Sequence, residues 1–340
     1  FTDTRSDAGS PYSDLIVYDR TTRTMELVTH GNTTTSTAAY ESAFSGISSD
    51  GKYVVFTSPW AENIGTFTGS SGATDVLAYS VGTGELRLLS HLSSSTNASS
   101  QAGVSNVTLS KDGRYVLFTA DNATKLGNGT AFTDSATGNA DLFAVKLSDG
   151  TVSLLSHASG NLMASAGQRV TLIGQNDAGT KAYFAAANAS AFGLSGGGET
   201  NIIAADLATG NLSLLARLGG TYANNGLAFS SDQRYVAYTA DVSTPQGTAM
   251  DWNVSPGGHV LMLIDTQTGN VSVVNHNGGS STAVGYQAWG GASAKGFSAD
   301  GGTLVYSMGY LGWMNAGFTT NSDGNGLLAY DVATGNSHLL

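Results

Sequence analysis

A short pattern that recurs along the chain restricts the possible folds more than any other feature of the sequence. Its clearest copy is Ser49-Asp50-Gly51-Lys52-Tyr53-Val54-Val55-Phe56-Thr57. Related copies have Asp112, Asp177, Asp232 and Asp300 at the position of Asp50. An Asp-Gly pair between apolar runs is typical of a tight hairpin turn, because such turns need residues that accept a positive φ angle. Each copy therefore predicts two short strands joined by a tight turn.

A second motif, a short apolar strand, alternates with the first. Its copies begin at Asp14, Asp75, Asp141, Asn201, Val260 and Gly326. A further strand follows each copy, and in five of the six a glycine-bearing turn lies between them. These turn glycines, which are spaced by 66, 60, 59 and 66 residues, are Gly84, Gly150, Gly210, Gly269 and Gly335.

One repeat thus contains four strands, which we name A to D in chain order. Strands B and C are apolar on both faces, as a sheet packed between two others requires. Four-stranded sheets stacked face to face around an axis form a β-propeller. We expect a single all-β propeller domain over residues 1–340 with six four-stranded blades, a seventh blade upstream being the alternative. The blades are predicted at 1–30 (partial), 45–91, 104–157, 169–217, 226–276 and 290–340.

The first blade is incomplete at its N-terminus. Strand B is represented there only by Phe1 and Thr2, which align with Phe56 and Thr57 of the second blade. An open ring would expose an unpaired strand edge, which is a liability in a sheet protein. We therefore expect the missing strands to come from upstream sequence, from beyond Leu340 or from a neighbouring molecule.

The two motifs together resemble the TolB-like (PD40, WD40-like) β-propeller repeat of bacterial secreted and envelope proteins. The resemblance covers essentially the whole chain and implies the fold. It implies no single function, because propellers of this type serve as protein-binding modules, as gating domains of peptidases and as polysaccharide lyases.

Charge and composition limit the partners and the cellular location. The net charge is −11 with only 14 lysines and arginines, so we expect no nucleic-acid partner, because no basic patch would attract the phosphate backbone. The chain has no cysteine, which excludes disulfides and thiolate metal sites. The low charged fraction, 11%, predicts an extracellular, cell-surface or periplasmic protein. No apolar run reaches the roughly 20 residues that span a bilayer.

Long loops provide the candidate binding surface. The A–B and C–D turns are tight, whereas the B–C loops and the D–A links are long and meet on one face of a propeller. Aromatic residues in these loops could contact a protein partner or a sugar ring, or could form small local cores instead. The candidates are Trp60, Trp252, Trp289, Tyr310, Trp313 and Phe318.

Oxygen-rich loop segments are candidates for calcium sites, because Ca²⁺ takes six to eight oxygen ligands. Asp and Asn are also ordinary turn residues, and none of the segments has EF-hand spacing. The candidate ligands are Asp134, Asn139, Asp141, Asn321, Asp323 and Asn325.

No catalytic motif accompanies the repeat, and we therefore predict a binding protein rather than an enzyme. The histidines His30, His91, His157 and His276 share one repeat position, which favours a structural role. The predicted function is a protein-binding or assembly module whose partner is another protein or further copies of the chain. The alternatives are a structural subunit of a surface layer or filament completed by strand exchange, and a carbohydrate-binding or polysaccharide-lyase propeller.

Overall fold

The computed structural model describes two compact units. The described residues are 14–30, 42–69, 72–176, 178–195, 200–218, 221–222, 227–241, 259–268, 270–275, 292–309 and 326–340. The first unit comprises Phe1–Ala186, Ser190–Leu194 and Ala204–Ser213, and the second comprises Ala187–Ala189, Ser195–Ile203 and Leu214–Leu340.

Among the described residues of the first half of the chain, the regular elements are β-strands, apart from one short α-helix and one 3-10 turn, Ala123–Lys125. The elements are β1 Ile16–Tyr18, β2 Met25–Leu27, β3 Ala43–Ile47, β4 Tyr53–Ser58, α1 Ala61–Ile64, β5 Asp75–Ser80, β6 Glu85–Leu88, β7 His91–Leu92, β8 Ser95–Ser99, β9 Val104–Leu109, β10 Tyr115–Ala120, β11 Asp141–Lys146, β12 Val152–Leu154, β13 His157–Ala158, β14 Asn161–Ser165, β15 Val170–Gln175 and β16 Lys181–Ala186.

The remaining elements continue the same succession after a second 3-10 turn, Ala189–Phe192. They are β17 Thr200–Asp206, β18 Leu212–Leu218, β19 Thr221–Tyr222, β20 Ala228–Phe229, β21 Tyr235–Asp241, β22 His259–Asp265, β23 Val271–Val273, β24 Ser293–Phe297, β25 Thr303–Met308, β26 Gly326–Asp331 and β27 Ser337–Leu339.

The strands form antiparallel sheets in simple chain order. Four-stranded sheets have the orders β3-β4-β5-β6, β12-β11-β10-β9, β15-β16-β17-β18 and β24-β25-β26-β27. A five-stranded sheet contains β19 and β21 to β23, with β20 paired to β21. The predicted fold class is therefore confirmed: the chain is all-β and is built from the four-stranded antiparallel blades of a β-propeller.

Strands B and C pair in corresponding registers, as the repeat predicts. Phe56 lies opposite Leu77 in one sheet and Phe118 lies opposite Phe143 in the next. Both members of each pair are fully buried, because these central strands are covered on both faces. In the first unit, Val55 and Ala78 of one sheet share a core cluster with residues of the following sheet. The second unit has a comparable cluster around Leu304 and Tyr306.

The A–B turns of successive repeats share one pattern of internal hydrogen bonds. Ser48 Oγ donates to Asp50 Oδ1 at 2.7 Å and accepts a hydrogen bond from Tyr53 N at 2.9 Å. Gly51 adopts a φ of +71°. The same serine-to-aspartate bond recurs in the later turns, so the repeated Ser-x-Asp sequence specifies the hairpin; its other copies are Ser110 to Asp112, Ser230 to Asp232 and Ser298 to Asp300.

Strands β1 and β2 form a two-stranded sheet, and β1 pairs only with β2 among the described residues. One face of this sheet packs against the next sheet through Val17 and Val28. The opposite face exposes Ile16, Tyr18 and Met25, which retain 51%, 50% and 61% of their surface. This sheet corresponds to strands C and D of the predicted partial blade. Within the described ranges, no helix has the length and apolarity needed to cross a bilayer.

Candidate functional site

Two D–A links of the first unit fold into small hairpins that the sequence pattern did not predict. One hairpin consists of β7 and β8, and the other of β13 and β14. His91 pairs with Ser99 in the first, and His157 pairs with Ser165 at the corresponding position of the second. The recurring Ser-His at the start and Ala-Ser at the end of each link is the sequence signal that could have identified them.

Each hairpin is attached to the B–C loop of its own blade by two backbone hydrogen bonds. Thr68 N donates to Asn97 O at 2.9 Å, and Ser99 N donates to Thr68 O at 2.8 Å. The second hairpin repeats this arrangement around Thr133. Thr133 N donates to Met163 O at 2.8 Å, and Ser165 N donates to Thr133 O at 2.8 Å. Backbone hydrogen bonds therefore join the B–C loop of each blade to the D–A hairpin that follows it.

The hairpin tips also contact the B–C loop that follows them in the chain. Ser93 N donates to Lys125 O at 3.1 Å, and Gly129 N donates to Ser93 O at 2.8 Å. In the next repeat Ser159 packs so closely on Gly193 that a Cβ atom there would overlap the serine hydroxyl. We call the two hairpins together with the B–C loop residues 59–69, 72–74 and 121–140 the loop face.

The loop face carries an exposed apolar pair. Leu162 and Met163, on β14, retain 55% and 39% of their surface. Their counterparts in the first hairpin are the polar residues Thr96 and Asn97. The backbone of Met163 is fixed by Asn161 Oδ1, which accepts Met163 N at 3.0 Å, and by the bond to Thr133. Two large apolar side chains thus project from an ordered strand.

Beneath the loop face lie two buried aspartates, Asp75 and Asp141, each 1% exposed. Asp141 Oδ1 accepts hydrogen bonds from Ser156 Oγ at 2.7 Å and from Ser165 Oγ at 2.8 Å. Asp141 thereby links the end of strand D to the D–A hairpin.

Asp75 makes the same pair of bonds. Its Oδ1 accepts hydrogen bonds from Ser90 at 2.7 Å and from Ser99 at 2.9 Å.

Burial raises the pKa of both aspartates to about 6. The serine hydroxyls oppose this shift, because they stabilise the ionised form. A second carboxylate raises the pKa further in each case: Glu62 acts on Asp75, and Asp134 acts on Asp141. One oxygen of each aspartate, Oδ2, is buried and accepts no hydrogen bond within the described part of the chain.

Few of the predicted binding aromatics fall within the described residues. Trp60 does; it is partly buried, and its backbone nitrogen donates to Ser58 Oγ at 3.3 Å ahead of α1. The other candidates lie outside the described residues: Trp252, Trp289, Tyr310, Trp313 and Phe318. Their role as a binding surface stays a prediction.

Three of the six predicted calcium ligands fall within the described residues. Asp134 and Asn139 lie in one B–C loop, where Asn139 Nδ2 donates to Gly167 O at 3.1 Å, and Asp141 is the first residue of β11. Asn321, Asp323 and Asn325 lie outside the described residues. Across the described ranges, no group of three or more acidic, histidine or cysteine side chains stands together as a metal cluster.

Two of the repeated histidines, His91 and His157, contact backbone carbonyl groups. His91 Nδ1 lies 2.9 Å from Leu92 O, and His157 Nδ1 lies 2.9 Å from Ala158 O. His157 Nε2 also lies 2.9 Å from Gly210 O, in a C–D turn of the same unit. These contacts hold the start of each hairpin.

Comparison with known proteins gives similarity at the level of structure. No family model and no curated protein matches the chain. Solved structures similar to it include TolB from Acinetobacter baumannii, with 16% identity and a TM-score of 0.39 over 95% of this chain and 58% of that protein. A putative TolB from Agrobacterium tumefaciens has 14% identity and a TM-score of 0.43, with 97% and 89% of the two chains covered.

An oligogalacturonate lyase solved in complex with manganese is also similar, with 12% identity and a TM-score of 0.45. The match covers 97% of this chain and 73% of the lyase. These likenesses concern the fold.

Proposed function

We propose that the chain is a protein-binding module of the bacterial envelope or cell exterior, and that its partner docks on the loop face. The observation that carries this proposal is the exposed pair Leu162 and Met163 on a strand whose backbone is held at both sides. Because the backbone that carries these side chains is already ordered, only the loss of side-chain freedom, about 0.5–1.5 kcal/mol for each, opposes the free energy of their burial on binding.

The surroundings of this pair favour a protein over a polyanion. The chain has a net charge of −11, which repels phosphate or uronate polymers. The adjoining strand residue Asn161 and the B–C loop residue Thr133 provide a polar border to the apolar pair. An apolar centre with a polar rim is the usual composition of a protein–protein contact.

The test is a comparison of two variants at corresponding positions of the two hairpins. The immobilised wild-type protein is exposed to an envelope extract of the producing cells, and the retained proteins are identified by mass spectrometry. The double variant Leu162→Asp/Met163→Asp should lose the retained partner. The matched control, Thr96→Asp/Asn97→Asp, adds the same charge to the polar hairpin and should retain it. Equal retention by both variants would contradict the proposal.

A second candidate function, assembly by strand exchange, is favoured by the β1–β2 sheet. β1 has a described partner on one side only, and Ile16, Tyr18 and Met25 form an exposed apolar face. A strand added to this edge would complete the sheet. Light scattering of the purified protein tests the idea: assembly predicts a concentration-dependent mass that Tyr18→Asp reduces to that of one chain. A single-chain mass at all concentrations would exclude it.

A further inference from the structure

The ring of His157 joins the β13–β14 hairpin to the C–D turn of the following sheet. Its Nε2 lies 2.9 Å from Gly210 O, and its Nδ1 lies 2.9 Å from Ala158 O. Leu162 reaches the same turn, because a Cβ atom at position 210 would lie 3.5 Å from Leu162 Cδ2. His157 itself is buried, with 7% of its surface exposed. The polar contact of the ring and the apolar contact of Leu162 therefore meet at one turn.

Both hydrogen-bond partners of this ring are backbone carbonyl oxygens, which only accept hydrogen bonds. A neutral imidazole carries one hydrogen, on Nδ1 or on Nε2, and its other nitrogen is an acceptor. In either neutral tautomer, one ring nitrogen of His157 would direct its lone pair at a carbonyl oxygen 2.9 Å away. The two bonds exist together only when both nitrogens carry hydrogen, which is the cationic form of the ring.

We propose that protonation of His157 attaches the β13–β14 hairpin to the C–D turn at Gly210, and that this attachment positions Leu162 and Met163 for binding. The second half of the inference rests on the proposed function, because the positioned residues belong to the loop face. Histidine changes its charge between about pH 5 and pH 8. As the pH rises through this range, the ring keeps the contact with its neighbour Ala158 and loses the contact with Gly210.

The first hairpin lacks the second contact and provides an internal comparison. His91 Nδ1 lies 2.9 Å from Leu92 O, which matches the Nδ1 contact of His157. The turn that corresponds to that of Gly210 contains Gly150, and nothing lies within 4 Å of a Cβ atom built there. A neutral ring with its hydrogen on Nδ1 satisfies the bond of His91. Loss of one proton should therefore leave the β7–β8 hairpin attached as before.

A buried aspartate lies beneath each hairpin, and its titration affects the two hairpins in the same direction. Asp141 holds the base of β13–β14 through two serine hydroxyls, and Asp75 holds β7–β8 through the corresponding pair. Burial raises the pKa of both aspartates to about 6, and the carboxylates of Asp134 and Glu62 act in the same sense. A difference in pH dependence between the hairpins therefore reports the contact of His157.

Charged groups on the adjoining elements have partners of their own. Asp206, at the start of the C–D turn, accepts backbone and hydroxyl hydrogens of that turn, and Lys181 is the cation that acts on it. Arg169, in the link after the hairpin, donates to Gly138 O at 3.2 Å. Across the described ranges, no ion pair reaches the ring of His157. The carbonyl oxygens are thus the groups that respond to its protonation.

The experiment follows hydrogen–deuterium exchange of the purified full chain by mass spectrometry at pH 5.5 and at pH 8. Peptides that cover 157–166 and 91–100 report the two hairpins in the same sample, after correction for the intrinsic effect of pH on exchange. In the wild type, the protection of β13–β14 relative to β7–β8 should fall about tenfold or more between the two pH values, because a hydrogen bond from a charged group is lost.

The variant His157→Gln has no charge at either pH and should show the weaker protection of β13–β14 at both. The matched variant His91→Gln should keep the pH dependence of β13–β14 that the wild type shows. Nitrogen-15 NMR of the labelled wild-type histidines gives a second measurement that does not depend on the folding of a variant. Both ring nitrogens of His157 should carry hydrogen at pH 5.5, and Nδ1 alone at pH 8.

The consequence for binding is measured by retention of envelope proteins on the immobilised chain at the same two pH values. The wild type should retain less of its partner at pH 8 than at pH 5.5, and His157→Gln should show a smaller difference. Retention of no protein at either pH would contradict the proposed function. The inference about His157 would be overturned by equal relative protection at the two pH values, by a ring with one hydrogen at pH 5.5, or by pH-dependent protection that persists in His157→Gln.

Discussion

Gly113 lies directly against Ser49 of the preceding A–B turn: a Cβ atom at position 113 would be 2.5 Å from the backbone nitrogen of Ser49. The Oγ of Ser49 donates to Asp112 O at 2.8 Å, so the two turns are also joined by a hydrogen bond. Glycine at 113 thus serves two purposes, because it also adopts a φ of +72°. The hairpin repeat specifies both the turn and the stacking of neighbouring sheets.

Alanine substitutions at Gly51 and Gly113 should separate the effect of the positive φ angle from the effect of the close contact with Ser49. Gly51 has a nearly identical φ of +71° but no atom within 4 Å of its Cβ position. Gly51→Ala should therefore cost only the left-handed strain, about 1–2 kcal/mol. Gly113→Ala adds overlap with fixed backbone and should cost about 3 kcal/mol or more. Urea unfolding of both variants measures the difference; equal losses would show that the turns do not stack as described.

The serines that donate to Asp141 should contribute more to the free energy of unfolding than exposed serines do. Ser165→Ala removes a donor to a buried carboxylate and the acceptor of Gly167 N, and should lower the free energy of unfolding by about 1–3 kcal/mol. Ser148→Ala, on an exposed turn, should change it by less than about 0.5 kcal/mol. Thermal and urea unfolding test both values. A neutral Ser165→Ala would contradict a tight link between hairpin and strand C.

The raised pKa values of Asp75 and Asp141 predict an unusual pH dependence. Each pKa is about 6 in the folded state against a reference value of 3.8, so the folded chain holds these protons more tightly than the unfolded chain. Their contribution to stability is therefore complete below about pH 4 and is lost as the pH rises through 6. The loss is at most about 2–3 kcal/mol for each group.

The measurement is the free energy of unfolding in EGTA from pH 4 to pH 7, for the wild type and for Asp75→Asn/Asp141→Asn. The wild type should lose stability relative to the double variant across this range. Other carboxylates act in the opposite sense: hydrogen bonding from Ser48 lowers the pKa of Asp50 to about 2, and the stability that it provides is lost below pH 4. Parallel profiles for the two proteins would contradict the assignment.

The fold could be predicted from the sequence because its signals are local and repeated. The Ser-x-Asp-Gly turn is specified by bonds within six residues, such as those of Ser48 with Asp50 and Tyr53. The apolar runs of β4 and β10 follow from burial on both faces. Because the hairpin pattern recurs along the chain, it predicts a series of similar sheets.

The candidate site was less predictable because its contacts join distant parts of the chain. Ser165 is 24 residues from Asp141 and Met163 is 30 residues from Thr133, and no local pattern links them. The close spacing of Asp and Asn around a glycine predicts Asp134 and Asp141 as candidate calcium ligands, whereas no local pattern predicts the serine hydrogen bonds of Asp141. The exposed Leu162 and Met163 were also missed, because an apolar pair in a link resembles a small local core until its exposure is known.

The most direct test of the central claim, that Leu162 and Met163 contact a protein partner, is site-specific photo-crosslinking in the cells that produce the protein. A benzophenone amino acid is placed at position 162 or, as the matched control, at position 96 of the other hairpin. The account predicts one discrete crosslinked protein from position 162 and none from position 96. Absence of a crosslink at 162, or the same product from both positions, would contradict it.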